Sequence, residues 1–416
     1  MKLLFLASSL LVAAQLSMSQ DTIRVMTYNL LNYSPPDYSR DQYYRTVIQA
    51  ANPDILVVQE IDTPEAVQNF LINVLNAGGS NVYSAGDFVD GTYDSENALF
   101  YKTGKLSFVS NNRIITDLRD INRFTVDHVS SERSFAIFSV HLKAGREPAT
   151  QLLEADSVRR AMEVDSLRKV TNAFPNGTDF IVLGDFNIYH PFEPAYEKLV
   201  TINAGNEGHF IDPLTMTGVW NDSGYAPYHT QSTRVRSFGY GATGGLDDRF
   251  DMILMSKAVS ESGGISLIPA SYHAFGNDGQ HYNDSINQLP NAAAAESIAN
   301  ALHYASDHLP VVADFVFDPL VAVEKKAAAL EFRLFQNYPN PFNPMTEIRY
   351  QMSEVRRVKL SVYDILGREV AVLMDEERGP GVHEVFWDAS SFPSGMYFYQ
   401  IRAGEYLETR KMVLIK

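Results

Sequence analysis

The chain contains no cysteine. Disulfides, thiolate zinc sites and iron–sulfur clusters are therefore excluded, and stability must come from core size or from ions held through oxygen and nitrogen. Glycine (25) and proline (19) are too sparse in 416 residues for a fibrous repeat or a long disordered tract. A surplus of positive charge is missing as well, the formal net charge being -16. The deficit is local: Asp21 to Asp318 carry 20 Lys and Arg against 37 Asp and Glu, whereas Pro319 to Lys416 carry 13 of each. Such a surface repels polyanions at long range and offers nucleic acid no broad basic footprint. Bound divalent cations would offset part of that charge, so the balance opposes tight DNA binding without excluding a DNA substrate. Long apolar runs are absent apart from Leu3 to Ala14, which is too short to span a bilayer. With Lys2 before it and Ser17-Met18-Ser19 after it, that run reads as a signal peptide over residues 1–19 and predicts export, the alternative being a buried N-terminal helix.

What is present is ordinary globular composition, 45% hydrophobic and 20% charged, with length for one large domain and a small one. Short apolar runs read as strands at Ile23–Tyr28, Ile55–Gln59, Ala98–Tyr101, Phe135–His141, Phe180–Gly184, Phe250–Met255 and Val311–Phe317. Helix-like stretches lie between some of them, at Gln42–Ala51, Glu65–Asn76 and Leu152–Ala173. This alternation predicts an α/β layered domain over 20–318. Composition changes after Asp318, and residues 319–333 read as a linker. The recurrent prolines of Tyr338-Pro339-Asn340-Pro341-Phe342-Asn343-Pro344 exclude helix. Short strands and Gly turns then follow, so 334–416 is expected to be a small all-β sandwich.

Polar residues recur at the strand ends: Asn29, Glu60, His141, Asp185 with Asn187, Asp251, and Asp307-His308. A lone aspartate there is usually a turn or cap residue, but six recurrences of one placement mark the edge where a layered α/β fold presents an active site. Oxygen donors of this kind suit Mg²⁺ or Mn²⁺.

The ordered set Met26-Thr27-Tyr28-Asn29-Leu30, Gln59-Glu60, Ser139-Val140-His141-Leu142, Gly184-Asp185-Phe186-Asn187, Arg249-Phe250-Asp251 and Ser306-Asp307-His308 resembles the motifs of the deoxyribonuclease I-like endonuclease/exonuclease/phosphatase superfamily. The resemblance covers about Ile23 to Phe317. It implies a four-layer α/β sandwich of two packed mixed sheets flanked by helices. It also implies roles: Glu60 as principal metal ligand with Asn29 and Asp307 nearby; Asp185 to orient or deprotonate water; Asn187 on the scissile phosphate. His308, oriented by Asp251, would be an acid/base or phosphate-binding group, and His141 would meet another phosphate oxygen. Glu96 is the candidate carboxylate partner of His141, with Asp90 and Asp94 close in sequence. Phosphodiester hydrolysis gathers negative charge on phosphoryl oxygens, so a cation and imidazoles fit that chemistry.

Two loops, Tyr225–Gly245 and His273–Asn283, are candidates for substrate contact, with Arg234, Arg249 and Tyr228 the residues expected to make it. From about Leu334 the chain resembles the sorting domain of the type IX secretion route, on Asn337 to Pro344, Tyr363-Asp364, Gly367-Arg368-Glu369-Val370 and Ser394-Gly395-Met396-Tyr397. That resemblance implies a Gram-negative bacterium, a partner in the type IX secretion machinery, and a secreted or surface location. The leading expectation is an Mg²⁺-dependent extracellular nuclease. A phosphatase or phospholipase on the same fold, and a non-catalytic binding protein, remain open.

Overall fold

The computed structural model describes residues 21–79, 81–91, 96–150, 154–239, 241–261, 263–318, 333–337, 339–352, 355–379, 381–404 and 406–416. The expected signal peptide lies outside these residues, as do Asp94, Tyr338 and the expected linker up to residue 332. The chain divides into two compact units, the second starting at Ala322.

Strands that are apolar at nearly every position need cover on both faces, and the first unit supplies it with two sheets packed together and helices outside each. One sheet holds β1 (Asp21–Tyr33), β2 (Ile55–Ile61), β3 (Tyr83–Ala85), β4 (Asn97–Lys102), β10 (Ile265–Leu267), β11 (His273–Ala274) and β12 (Val311–Phe317). Its order is β10-β12-β1-β2-β4-β3, with β11 also on β12. The other runs β5-β6-β7-β8-β9, from β5 (Leu106–Ile114), β6 (Ile121–His128), β7 (Arg133–His141), β8 (Phe180–Asp185) and β9 (Asp251–Met255). Both are mixed: β1 with β2 and β7 with β8 are parallel, and the remaining pairs are antiparallel.

The period-two alternation of each strand assigns its side chains to layers. Ile23, Val25, Ile55, Val57, Phe135, Ile137, Ile181 and Leu183 meet between the sheets. Met26, Tyr28, Leu56 and Val58 face outward against α1 (Asp41–Ala51), α2 (Pro64–Asn69) and α6 (Glu296–Ala305). Phe138, Val140, Phe180 and Val182 face α3 (Asp156–Thr171) and α4 (Pro194–Val200) on the other side. The result is the expected four-layer sandwich. A short α5 (Lys257–Ser260) follows β9. Toward one end of the inter-sheet layer the contacts become polar: Gln59 bonds Thr27 and Ser139 at 3.2 Å each, and Asn97 donates to Asn122 at 3.0 Å. These amides join the sheets where the site residues begin.

Differences from the sequence reading are local. The stretch expected as one helix over Glu65–Asn76 is α2 followed by a π-helical segment, Phe70–Leu75. Residues 154 and 155 precede the start of α3. Strands β5 and β6 were not expected, because LSFVSNNRI and INRFTVDH mix polar residues into an alternation with little apolar run. Among the described residues, no helix is long and apolar enough to cross a membrane.

The second unit is all β. β13 (Arg333–Leu334), β14 (Met345–Met352) and β17 (Gly381–Asp388) form one sheet, and β15 (Arg356–Tyr363), β16 (Glu369–Arg378), β18 (Gly395–Ala403) and β19 (Tyr406–Leu414) the other, ordered β16-β15-β18-β19. Tyr350, Leu360, Trp387, Tyr399 and Met412 share its core. Asn337 is buried, its backbone N–H donating to the Tyr399 hydroxyl at 2.8 Å and its amide to Thr346 at 2.9 Å.

Candidate active site

Strand register assembles the site. Parallel pairing sets His141 opposite Asp185, and antiparallel pairing sets Asp185 opposite Asp251, so three functional side chains lie in one row across β7, β8 and β9. Close approach of β7 and β8 requires Gly184: its φ is +131°, and a Cβ there would lie 2.0 Å from the Val140 carbonyl oxygen. In the facing sheet, β1 and β2 deliver Asn29 and Glu60.

Asn29 ties the two sheets at this point, its amide donating to Glu60 Oε1 at 2.9 Å and to Asp185 Oδ2 at 3.1 Å. Its oxygen accepts the Leu31 N–H at 2.9 Å, and Glu60 Oε2 accepts that of Asn32 at 2.8 Å. Glu60 has a φ of +60° and Asn187 one of +51°. A left-handed backbone costs a non-glycine residue on the order of 1 kcal/mol and persists only where neighbours over-determine it. Asn187 is held in this way, its N–H donating to Asp185 Oδ1 at 3.0 Å and its amide to the Leu142 carbonyl at 3.1 Å.

His141, Glu60 and Asp185 converge, with His141 Nε2 3.8 Å from Glu60 Oε1 and 3.6 Å from Asp185 Oδ2. Their donor atoms all fall within 4.8 Å of one another, a spacing that can hold a metal ion. Two carboxylates, one of them buried, converge with an imidazole, so the donor set fits a hard divalent cation. Burial pushes the Asp185 carboxyl upward against the opposing pull of His308. Burial, reinforced by Arg119 and His308, drives His141 well below the usual histidine range.

His308 stands on the other side of Asp185, its Nε2 3.7 Å from Asp185 Oδ2 and its Nδ1 2.7 Å from Asp251 Oδ2. Burial opposes charge on this ring, but Asp251 and Asp185 outweigh it and hold the imidazole well above its ordinary range. Ser306 fixes the turn that carries His308: its hydroxyl donates to the Asn29 carbonyl at 2.7 Å and accepts the His308 N–H at 3.1 Å. Thr230 Oγ1 accepts the N–H groups of Phe250 and Asp251 at 3.2 and 3.1 Å.

The structure adds one residue to the expected set. The Gln231 amide nitrogen lies 2.6 Å from His308 Nε2 and 3.5 Å from Asp307 Oδ2. Rotated through 180°, the same amide offers its oxygen to the protonated ring. Gln231 comes from a loop between Tyr228 and β9, and no strand or helix period marks it in the sequence.

Several expected residues take other places. Asp307 lies outside the Glu60–His141–Asp185 group; its Oδ2 accepts the Ala242 N–H at 2.6 Å, and its Oδ1 is buried without a hydrogen-bond partner among the described residues. Glu96 also lies outside that group. It accepts the Gly91 N–H at 2.9 Å, and burial, opposed by that bond, pushes its carboxyl up to about 7. Arg234 is buried beside Asp307 with its guanidinium 4.4 Å over the Phe238 ring, so it is not offered to solvent. Arg249, expected to meet substrate, is turned inward: it is buried, and Asp212 accepts from both its terminal nitrogens at 2.7 and 2.9 Å. Tyr228 is half-buried and packs against the α3–α4 side of the core.

A second feature escaped the sequence reading. α3 carries buried Asp156, Arg160 and Glu163 on one face, at helical spacing, and these side chains grip backbone rather than one another. Asp156 accepts the Glu147 N–H at 2.9 Å. Arg160 donates to the carbonyls of Lys143 and Gly145 at 2.8 and 2.9 Å and pairs with Glu193 at 2.7 Å. Glu163 accepts the N–H groups of Lys143 and Arg119 at 2.9 and 3.3 Å, and Glu193 that of Tyr189 at 2.9 Å. The loops after His141 and Asn187 are thereby fixed to one helix.

Among solved structures, the chain is similar to the human Nocturnin catalytic domain with bound sulfate (20% identity, TM-score 0.44, covering 72% of this chain and 98% of that one). It is similar also to D. rerio TDP2 complexed with single strand DNA product (16%, 0.45, 71% and 98%) and to ANGEL2, a 2',3'-cyclic phosphatase (14%, 0.44, 71% and 95%). No curated protein matches. The Secretion system C-terminal sorting domain matches residues 336–416, which marks the chain as type IX cargo, secreted or displayed at the cell surface. The Endonuclease/Exonuclease/phosphatase family matches residues 26–308, more than half of the chain and all of the site just described, and to that family the chain belongs.

Proposed function

We propose that the protein is an extracellular nuclease: a divalent-metal-dependent phosphodiesterase that cuts DNA or RNA by attack of water. The observation that carries this reading is the convergence of Glu60, Asp185 and His141 beside the His308–Asp251 pair. Glu60 and Asp185 are the carboxylates that would hold the cation, with Asn29 bonded to both. A bound Mg²⁺ or Mn²⁺ would neutralise charge on the phosphoryl oxygens.

The chain's own groups divide the remaining work. Asp185 Oδ2, raised by burial, is the acceptor for a proton from water. His308, kept protonated by Asp251, would offer Nε2–H to a phosphate oxygen or to the departing alkoxide once that oxygen takes the place of the Gln231 amide. The contact of Asp251 Oδ2 with His308 Nδ1 fixes the ring, and Asn187, placed by its left-handed turn, lies beside Asp185 for a second phosphate oxygen. Residues 1–19 would act as the leader for the first membrane and 336–416 as the address for the second. The sorting segment then has no part in catalysis.

The test is cleavage of supercoiled plasmid, single-stranded DNA, RNA, a phosphoinositide and sphingomyelin, with Mg²⁺ or with chelator. Polymer cutting should vanish with chelator and fall at least about 100-fold in His308→Asn. Hydrolysis of a lipid phosphoester with every polymer left intact would replace the nuclease reading by a lipid one.

A further inference from the structure

A cleft of about 620 Å³ opens beside the site, walled by the loops that continue from His141 and from Asn187. Its walls include Arg146, Tyr189, His190, Phe192 and Val219. The Arg146 guanidinium lies 3.6 Å over the Tyr189 ring, a stacked pair, while its side chain is 62% exposed and its edge meets Asp248 at 3.7 Å. Phe192 and Val219 are 61% and 56% exposed at the same cleft and add apolar surface to a concavity. His190 Nδ1 is buried and has no hydrogen-bond partner among the described residues.

We propose that this cleft is the subsite for a nucleobase of the strand being cut, adjacent to the scissile phosphate. The inference rests on the nuclease reading above. A planar cation stacked on tyrosine and an exposed phenylalanine match the flat faces of a base. An acyl chain would use the apolar walls but neither Arg146 nor His190. The cleft is held firmly, because Arg160 of α3 binds the Lys143 and Gly145 carbonyls and pairs with Glu193, which in turn accepts the Tyr189 N–H. Its distance along the chain from the chemistry is also short: Arg146 follows His141 by one loop, and Tyr189 follows Asn187 by two residues. In an acidic domain that attracts polyanions poorly, stacking supplies affinity that phosphate contacts do not.

The experiment compares cleavage of single-stranded oligonucleotides with one cleavable phosphodiester, in which the base flanking it on either side is present or abasic. Wild-type protein should prefer the base-bearing strand by about fivefold or more in kcat/KM for one of the two sides. Arg146→Ala and Phe192→Ala, both exposed positions outside the catalytic group, should bring that preference close to one while leaving the abasic rate unchanged. An unchanged preference in both variants overturns the subsite alone. Equal slowing of both strands in Arg146→Ala also overturns it, since Arg146 would then be a phosphate contact. If wild-type protein cuts neither strand, the subsite fails; the nuclease reading fails with it only if the plasmid and RNA of the first test are also left intact.

Discussion

His308 and Asp251 meet at 2.7 Å from positions 57 residues apart, and the consequences of that contact are local. It fixes which nitrogen of the ring faces Asp185, so the motif Ser306-Asp307-His308 acquires meaning only when β9 arrives beside it. A different titration belongs to Glu163. Burial pushes this carboxyl up to about 7, the two backbone N–H groups it accepts opposing the shift. With a folded pKa raised above the unfolded one, its contribution to stability is complete below about pH 4.5 and is lost as pH rises through about 7. In Glu163→Gln that pH dependence disappears. The melting temperature of the variant relative to wild type should therefore improve between about pH 5 and about pH 8, superposed on a constant loss from one poorly matched N–H. A difference in melting temperature that is flat across that range contradicts the assignment.

Among the elements, β7 and β8 bear the tightest constraint. Because a Cβ at Gly184 would overlap the Val140 carbonyl, no rotamer relieves the clash, and the strands must part. Gly184→Ala should destabilise the first unit by at least about 2 kcal/mol in urea unfolding. Activity should fall as well, since the same pairing sets His141 against Asp185. Unchanged stability would mean that the strands separate freely. The elements also show what sequence conveys and what it does not. Val25–Tyr28, Ile55–Gln59 and Phe180–Gly184 are buried on both faces, so their apolar runs and polar ends were legible together. Leu106–Ile114 was not, because most of its positions reach solvent or a half-covered face. Glu60, His141 and Asp185, which the structure brings together, were read as positions at the ends of apolar runs, whereas Gln231 sits in a loop without periodicity. The inward turn of Arg249 was hidden for another reason: its partner Asp212 lies 37 residues earlier, and no local pattern reports such a pairing. The charged face of α3 has the spacing of an exposed helix, and only the loops folded onto it reveal that it is interior.

For the whole molecule, charge and modularity decide behaviour. The 37 acidic against 20 basic side chains of Asp21–Asp318 make the first unit repel itself, and a divalent cation held by Glu60 and Asp185 would relieve part of that repulsion. A fragment of residues 21–318 should fold and retain phosphodiesterase activity within about twofold. Mg²⁺ at about a hundred times its dissociation constant should raise its stability by about 2.7 kcal/mol, seen as a higher melting temperature. The rise should be absent in Glu60→Gln; a rise that survives this change would locate the cation elsewhere.

Because α3 holds the loop after His141 through main-chain atoms and reaches the loop after Asn187 through Glu193, the side chains of Ala144, Pro148, His190 and Phe192 take no part in those bonds. Relatives can therefore diverge at these positions while inheriting an unaltered framework, and a library randomised there would explore new substrate preferences from a starting point that still folds.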